Sequence, residues 1–317
     1  GVNDNNSDGH QDYDISLSEI VDNKALDFDG VNDYVVLPSS INSSISNNIT
    51  IEGWFYITSI PVHTMLVGES FLGDGKIKFS IWKFDQNQLG AGFYDGGFYK
   101  NTSSMPTSNT WIHIAATYDQ QNIITYYDGI EVSRTANTRT LPNGQEEWRL
   151  GRRWDSADLL DGAMDEVRIW NVARTQAEIQ ANMNKELSGS ETGLVAYYKM
   201  NDGSGTALTD SSSNSYTGTL KNMSGANWVA SGVSIPAPET VDVALHNLDD
   251  DAEVTVAVSS SDTGEGTVSP ATLTFTEANR NTAQTVTVTG VNDNNADGNK
   301  AYKIILSSSG QDNATLS

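Results

Sequence analysis

The sequence predicts an all-β protein built from sandwiches of antiparallel sheets. Short segments in which apolar and polar residues alternate recur along the chain, and this two-residue period is typical of strands with one buried face. Gly, Asn, Asp and Ser separate the segments, as in turns between antiparallel strands. One helix is predicted, from Thr175 to about Leu187, because Thr175 and Glu178 form a capping box and Ile179 and Met183 share one face.

The chain contains an internal repeat. The phrase "GVNDNNSDG" at residues 1–9 returns as "GVNDNNADG" at residues 290–298, and each copy is followed by an alternating strand pattern, "YDISLS" and "YKIILS". A repeat of this length is a whole domain unit rather than one step of a solenoid. The repeat predicts that the sequence is a window on a tandem array of β modules.

Residues 24–235 form one predicted domain of aromatic-rich strands, from "ALDFDGVNDYVVLP" to "GLVAYYKM". A Pro- and Ser-containing linker, "SGVSIPAPET", leads out of it. The segment 236–317 is rich in Thr, Val and Ser and has no Trp beyond the linker, which predicts a second, truncated module with the texture of an Ig-like sandwich.

Residues 1–23 predict the end of a similar module. Their strand "YDISLS" needs a partner, because a lone strand leaves backbone groups unpaired. The segment 240–251, "TVDVALHNLDDD", offers matching alternation. Two arrangements are open: either the aromatic-rich domain is inserted between these two strands of one module, or the modules follow one another and 240–251 begins the last.

Composition limits the function. The 317 residues include 41 acidic and 18 basic side chains, for a net charge of −23, and no Cys. This charge disfavours nucleic acid, which is bound through Lys and Arg, and no apolar run is long enough for membrane insertion. The carboxylates serve either solubility or calcium binding, and we expect a monomer.

The repeated phrase is a candidate calcium loop. Both copies have the form D-x-N-x-D-G, which places oxygen ligands at alternate positions of a tight turn. The predicted ligands are Asp4, Asn6 and Asp8 in the first copy and Asp293, Asn295 and Asp297 in the second. The alternative is an Asx-rich turn without a metal.

Several motifs in order, "ALDFDGVNDYVVLP", "ITIEGWFYI", "WIHIAATYD", "LDGAMDEVRIWN" and "GLVAYYKMNDGSG", resemble the bacterial laminin-G-like, concanavalin A-like family over residues 24–230. The resemblance implies a two-sheet jelly roll in secreted, mostly non-catalytic proteins that bind glycans or protein partners. Residues 242–317 are similar to the Calx-beta-like repeats of large bacterial adhesins.

The resemblance also implies a structural calcium ion where the first strand pair meets the "DEVRIW" strand. Carried over to this sequence, its carboxylate ligands would be Asp29 and Asp165, with Gly30, Asp33 and Ala163 as further contributors. Both carboxylates lie at strand edges among apolar residues, where an unpaired charge is costly. A salt bridge remains the alternative.

Two segments are candidate ligand sites. Trp154 lies in a polar loop with two cations and two carboxylates: Arg152, Arg153, Asp155 and Asp158. Exposed aromatic rings stack on sugars, but Trp154 could also fold back over the sandwich edge. The Gly-rich segment 93–101 is predicted as a second loop with Tyr94, Phe98 and Tyr99, and Trp82 could serve either the core or a ligand.

No enzyme is predicted. Glycosidases need two carboxylates that face each other across the sugar, and the E-x-D-x-x-E pattern of laminarinase-like enzymes is absent from the sequence. The sequence therefore predicts a non-catalytic region of a large secreted bacterial adhesin, on the cell surface, that binds a glycan or a cell-surface ligand. The alternatives are a carbohydrate-binding accessory module of a polysaccharide-degrading enzyme, or a structural spacer of a surface filament.

Overall fold

A computed structural model describes residues 13–17, 23–70, 75–153, 159–233, 239–245, 253–264, 266–276, 278–279, 282–290 and 303–308. The chain divides into two compact units. The larger unit is Asp22–Ile235, and the smaller unit combines Gly1–Val21 with Pro236–Ser317.

The described residues are almost entirely strands. In chain order these are β1 (Tyr13–Leu17), β2 (Lys24–Asp29), β3 (Tyr34–Leu37), β4 (Ile49–Ser59), β5 (Met65–Glu69), β6 (Lys76–Asp85), β7 (Gln88–Asp95), β8 (Phe98–Ser104), β9 (Trp111–Tyr118), β10 (Asn122–Tyr127), β11 (Ile130–Ala136), β12 (Trp148–Leu150), β13 (Asp161–Trp170), β14 (Leu194–Tyr198), β15 (Ala207–Leu208), β16 (Gly218–Lys221), β17 (Trp228–Ala230), β18 (Glu239–Leu245), β19 (Val254–Ser260), β20 (Gly266–Ser269), β21 (Thr272–Phe275), β22 (Gln284–Gly290) and β23 (Ile304–Ser308). The helices are α1 (Gln176–Asn182) and two 3₁₀ turns, Ser39–Ser44 and Gly225–Asn227.

The larger unit contains two antiparallel sheets of eight strands each. Sheet A has the order β11–β10–β9–β4–β13–β2–β17, with β14 paired to β13, and sheet B has the order β15–β16–β3–β12–β5–β6–β7–β8. Alternate side chains of both sheets meet in one core, and its largest members are fully buried: Phe28, Phe55, Phe79, Phe93 and Trp148. Burial of each such side chain stabilises the fold by about 1.5–3 kcal/mol. The all-β, two-sheet prediction is confirmed for this unit.

Helix α1 packs on the face of sheet A that points away from this core. Ile179 is fully buried against Ala115, Ile124 and Tyr126 of β9 and β10. The predicted capping box is present, with the Thr175 hydroxyl accepting from the Glu178 amide at 3.3 Å. The helix ends at Asn182, five residues before the predicted end. No helix in the described ranges is long and apolar enough to span a membrane.

The smaller unit has a four-stranded sheet, β1–β18–β22–β20, and a three-stranded sheet, β21–β19–β23. A core of seven buried side chains joins strands from both sheets: Val243, Val256, Val258, Leu273, Phe275, Val286 and Val288. Strand β1 pairs antiparallel with β18, from Tyr13 opposite Leu245 to Leu17 opposite Val241. In the sequence, the whole larger unit therefore lies between two neighbouring strands of the smaller one. The Ig-like, Calx-beta-like assignment of this unit stays a prediction.

Candidate functional site

The outer face of sheet B, which points away from the core, is defined by the strand register. Residues directly opposite each other in antiparallel strands point to the same face. Gly68 of β5 lies opposite Arg149 of β12 and Ser80 of β6, and Ser80 lies opposite Gly92 of β7. Their neighbours in sequence, such as Trp148 on β12, point into the core. One row across this outer face therefore consists of small residues beside an arginine.

Four aromatic rings form a cluster on this outer face, which we call the aromatic cluster: Trp82, Phe84, Tyr94 and Phe98. The ring centroids lie 4.9 Å apart for Trp82 and Phe84, 5.1 Å for Trp82 and Phe98, and 4.8 Å for Tyr94 and Phe98. Phe98 is 53% exposed, whereas Trp82 is 4% exposed. The Trp82 Nε1 is buried and has no hydrogen-bond partner among the described residues.

Two glycines of β7 make room for this cluster. Gly90 lies opposite Trp82 of β6 and Thr102 of β8, and Gly92 lies opposite Ser80 and Lys100. A Cβ at either glycine would collide with the backbone of β8. Because β7 contributes no side chain at these positions, the rings of Trp82 and Phe98 meet across it.

Two arginines lie at the end of this row that is farther from the aromatic cluster. The Arg152 Cζ lies 4.4 Å from the Tyr34 ring centroid, and the Arg149 Cζ lies 5.5 Å from the same centroid. Arg149 also contacts Glu147, with Nε 2.8 Å from Oε1. We call Tyr34, Arg149 and Arg152 the arginine wall.

The structure brings some of the predicted ligand residues together and separates others. Trp82 and Tyr94 lie in the aromatic cluster, and Arg152 lies in the arginine wall. Tyr99 lies on the other face, because it pairs with core residue Phe93 at a centroid distance of 5.3 Å. The segment predicted as a loop is a hairpin of β7 and β8, which fixes Tyr94 and Tyr99 on opposite faces.

The remaining ligand predictions concern the polar loop. Arg153 is described, and its backbone oxygen accepts from Arg149 Nη1 at 3.3 Å. Trp154, Asp155 and Asp158 lie outside the described residues. Sequence reasoning missed Arg149, which stands on a strand of only three residues that shows no periodic pattern.

The structure separates the two carboxylates predicted to share a calcium ion. Asp29 lies opposite Asp161 in the β2–β13 pair, so Asp165 is four residues, or about 13 Å, further along β13. Asp29 is exposed and accepts from the backbone amides of Val31 at 2.8 Å and Asn32 at 3.2 Å. These contacts form an Asx turn, in which the left-handed Gly30 has φ of +71°.

Asp33 and Ala163 lie near this turn. The Asp33 Oδ2 accepts from Asn227 Nδ2 at 2.7 Å, and Ala163 lies opposite Asp27. Burial, followed by the negative charge of Asp161, raises the pKa of Asp27 above its usual value. Within the described ranges, no three His, Cys, Asp or Glu side chains are grouped to hold a metal ion. The candidate ligands Asp4, Asn6, Asp8, Asp293, Asn295 and Asp297 lie outside the described residues.

Asp165 has different surroundings. It is fully buried, and its Oδ2 accepts from the Ser231 hydroxyl at 2.6 Å and from Asn23 Nδ2 at 3.4 Å. Its Oδ1 is buried and has no partner within the described part of the chain. Burial, opposed in part by the Ser231 hydrogen bond, raises the pKa of Asp165 to about 8.

A β-bulge in β13 sends the adjacent carboxylate elsewhere. Glu166 has φ of +52°, and the register with β4 shifts between Asp165 and Arg168. Glu166 accepts from Arg168 Nη2 at 2.6 Å and from the Tyr197 hydroxyl. The bulge thus gives two consecutive acidic residues separate partners, as bulges do where they re-aim a side chain.

Comparison with known proteins supports the same fold. Residues 29–180 match the sequence profile of the Laminin_G_3 family, described as the concanavalin A-like lectin/glucanases superfamily. No curated protein sequence matches the chain significantly.

Among solved structures, the chain is similar to a protein from Bacteroides ovatus described as a candidate carbohydrate-binding protein, with 22% identity and a TM-score of 0.51. The match covers 72% of this chain and 60% of that protein, so this chain spans less than two thirds of the length of the Bacteroides protein. This likeness, together with the family match, supports a two-sheet jelly-roll fold for the larger unit.

Two further structures have lower scores. One is domain 4 of an extracellular GH43 arabinanase from Geobacillus stearothermophilus, solved with arabinotriose (17% identity, 55% of this chain, 87% of that chain, TM-score 0.40). The other is the CBM40 domain of a Ruminococcus gnavus sialidase bound to α2,3-sialyllactose (13% identity, 55% of this chain, 98% of that chain, TM-score 0.40). Scores this low support no inference about the function of this chain.

Proposed function

We propose that the concanavalin A-like jelly roll of this chain is a non-catalytic glycan-binding domain, and that it binds on the outer face of sheet B. The observation that carries the proposal is the aromatic cluster. Phe98 is 53% exposed and rests on two buried or half-buried rings, Trp82 and Tyr94, which hold it in place. A supported aromatic ring offers an apolar surface on which the C–H face of a pyranose can stack.

The residues around the cluster favour binding over cleavage. Hydrolysis of a glycosidic bond requires two carboxylic side chains that flank it. The row that the register defines across this face from β12 to β8 consists of Arg149, Gly68, Ser80, Gly92 and Lys100, and it contains no Asp or Glu. The similarity to a candidate carbohydrate-binding protein supports the same proposal.

We extend the proposal to the context of the chain. Net charge −23, the lack of Cys and the repeated phrase are typical of modular bacterial surface proteins, so we propose an adhesin on the cell surface. An accessory module of a polysaccharide-degrading enzyme would use the same binding face. A ligand-free structural spacer would not, and glycan binding therefore distinguishes the spacer from the other two.

We also propose a structural cation, with a ligand set that differs from the one the family resemblance implies. Asp165 Oδ1 is a buried oxygen without a partner, which fits a hard cation that prefers oxygen ligands. Candidate oxygens to join it belong to Asn23 and Ser231, which contact Asp165 Oδ2, and to Val233, whose carbonyl oxygen lies 3.0 Å from Asn23 Nδ2. A calcium ion there would supply positive charge and remove the cost of burying the carboxylate.

The glycan proposal is tested with Phe98→Ala on an array of plant, algal and bacterial polysaccharides. We expect binding to at least one polysaccharide by the unmodified protein, and binding at least tenfold weaker in the variant, since an exposed aromatic anchor is lost. The melting temperature should change little, because Phe98 is a surface residue.

Ile130→Ala is the matched control, since Ile130 is 61% exposed on β11 of sheet A. It should leave binding within twofold of the unmodified protein. Equal binding by both variants would contradict the assignment of the site to sheet B, and an array without any bound polysaccharide would contradict the proposed function.

A further inference from the structure

We propose that the glycan recognised on sheet B is anionic, and that Arg152 binds its carboxylate or sulfate group beside the aromatic cluster, while Arg149 contributes positive charge but keeps its own hydrogen-bond partners. This inference rests on the glycan binding proposed above and adds the class of sugar. It follows from the charge, the spacing and the unpaired polar atoms of the described residues on this face.

Among the described residues, two guanidinium groups and one carboxylate lie at the arginine wall. Arg149 and Arg152 approach the same Tyr34 ring, at 5.5 and 4.4 Å. Among the described residues, Glu147 pairs with Arg149 at 2.5 Å, and no carboxylate pairs with Arg152. Arg152 therefore keeps a positive charge without an anionic partner among these residues, in a protein whose overall net charge is −23.

Arg152 is positioned to bind a ligand. Its guanidinium lies against Tyr34, and its Nε is buried without a hydrogen-bond partner among the described residues. A buried donor without a partner costs free energy, and an incoming acceptor would recover it. Contact with the Tyr34 ring restrains the guanidinium, whose paired N–H groups match the geometry of a carboxylate or sulfate.

The distance between the arginine wall and the aromatic cluster suits a short saccharide. Ser80 lies two strands away from Arg149, with Gly68 between them, and this is about 10 Å at the usual spacing between strands. Trp82 follows two residues after Ser80 on the same face. A disaccharide can therefore place one ring on the aromatic cluster while a charged substituent reaches the arginine wall.

The surface between the arginine wall and the aromatic cluster, which we call the floor, is formed by small residues. It consists of Gly68 and Ser80, and a Cβ at Gly68 would collide with Ser80. The Ser80 Oγ and the Trp82 Nε1 are both buried without partners in the described part of the chain. Because Ser80 is fully buried and Trp82 is 4% exposed, the contacts proposed for the sugar itself are with Phe98 and Arg152.

Anionic character is the feature that distinguishes this site from a general sugar platform. A neutral sugar would stack on the aromatic cluster, but it would displace water from the Arg152 guanidinium without replacing its charge-assisted hydrogen bonds. An anionic sugar would both stack on the aromatic cluster and replace these charge-assisted hydrogen bonds. Non-specific attraction of the anion to this acidic protein is not expected, so binding would depend on the local arginines.

The test is affinity electrophoresis of the full chain in native gels that contain one polysaccharide each. Polygalacturonate and alginate present carboxylates, dextran sulfate presents sulfates, and dextran is the neutral reference. We expect at least one anionic polymer to retard the protein and dextran not to do so. Which polymer acts shows whether the anion is a carboxylate or a sulfate.

Arg152→Gln should weaken this binding about tenfold, as expected when a charge-assisted hydrogen bond is lost. Arg152→Lys keeps the charge without the paired N–H groups, and it should give an intermediate value. The matched control is Arg134→Gln, because Arg134 is a half-exposed arginine on β11 of sheet A whose partner is Glu131. It should change binding less than twofold.

The outcomes separate the two proposals. If the protein binds only neutral polysaccharides, or if Arg152→Gln and Arg134→Gln behave alike, the anionic assignment is wrong while glycan binding stands. If no polysaccharide is bound in gels or on the array, both are wrong. Melting temperatures of the two variants should agree within about 2 °C, and a larger loss in Arg152→Gln together with unchanged binding by Arg152→Lys would assign Arg152 a structural role instead.

Discussion

The outer faces of the two large sheets use charge in opposite ways. On sheet A, helix α1 and the residues after it cover buried ion pairs: Arg168 with Glu166 at 2.6 Å, and Arg174 with Glu52 at 2.8 Å. On sheet B, Arg149 pairs with Glu147, Arg152 has no carboxylate partner among the described residues, and the aromatic cluster includes the exposed ring of Phe98. A covered face must pair its charges, because an uncompensated buried charge is strongly destabilising. A face that meets a ligand can leave donors for that ligand.

The largest expected loss of stability comes from removing a buried charge on the covered face of sheet A. Glu52→Ala removes a fully buried carboxylate that accepts from both Arg174 and the Trp170 Nε1 at 2.8 Å. It leaves Arg174 and Arg168 without that charge, so we expect a loss of about 3–5 kcal/mol in the free energy of unfolding. Urea unfolding followed by circular dichroism measures it.

Arg152→Gln is the counterpart on sheet B, where we expect a change under about 1 kcal/mol. Glu52→Gln keeps the hydrogen-bonding shape and should lie between the two. Similar losses in Glu52→Ala and Arg152→Gln would mean that the two faces do not differ in this way.

The second prediction concerns Asp165, which is buried like the sheet A charges but lacks a cation among the described residues. Its folded pKa of about 8 lies above the unfolded value near 3.8, so the native state holds a proton that the unfolded state has lost between these pH values. Stability in chelator should therefore fall as pH rises from about 4 to 8. Asp165→Asn should remove this slope and be more stable at pH 7 by about 2–4 kcal/mol.

Calcium provides the matching experiment. Added calcium should raise the melting temperature of the unmodified protein at pH 7, since an ion that binds only the native state stabilises it, and it should not affect Asp165→Asn. A protein that melts identically in calcium and in chelator would argue against the proposed cation and leave a protonated Asp165.

The smallest expected loss of stability tests whether helix α1 stabilises the covered face of sheet A. Thr175→Ala removes the cap that satisfies the Glu178 amide and should cost about 1 kcal/mol. Hydrogen exchange at Met183, whose amide bonds to Ile179, should accelerate, while glycan binding stays unchanged. Thr175→Ser should behave as the unmodified protein, and altered binding in Thr175→Ala would indicate that the faces are coupled.

The sequence predicted those features that depend on local patterns. Alternation predicted the strands, and Thr175 with Glu178 predicted the start of α1, because both signals act within a few residues. The end of α1 was missed, since Trp54 Nε1 caps the chain there by donating to the Met183 carbonyl at 2.8 Å, a contact across 129 positions.

Pairing register decides what the sequence could not show. Tyr94 and Tyr99 are both aromatic and near in sequence, but the β7–β8 hairpin directs them to opposite faces. Asp29 ends β2 whereas Asp165 lies inside β13, and only the β2–β13 register shows that they are four positions apart. Arg149 joins the site through its neighbours Val36 and Gly68, which are distant in the sequence.

The ladder between β1 and β18 determines how a pulling force would travel through the chain. Tyr13 and Leu245 face each other at one end of the ladder, and Leu17 and Val241 face each other at the end from which the chain runs to and from the jelly roll. Tension applied at Tyr13 and Leu245 would peel the ladder one residue pair at a time. Until the last pair opens, the jelly roll carries no load, so the outer face of sheet B keeps its shape while the smaller unit is stretched.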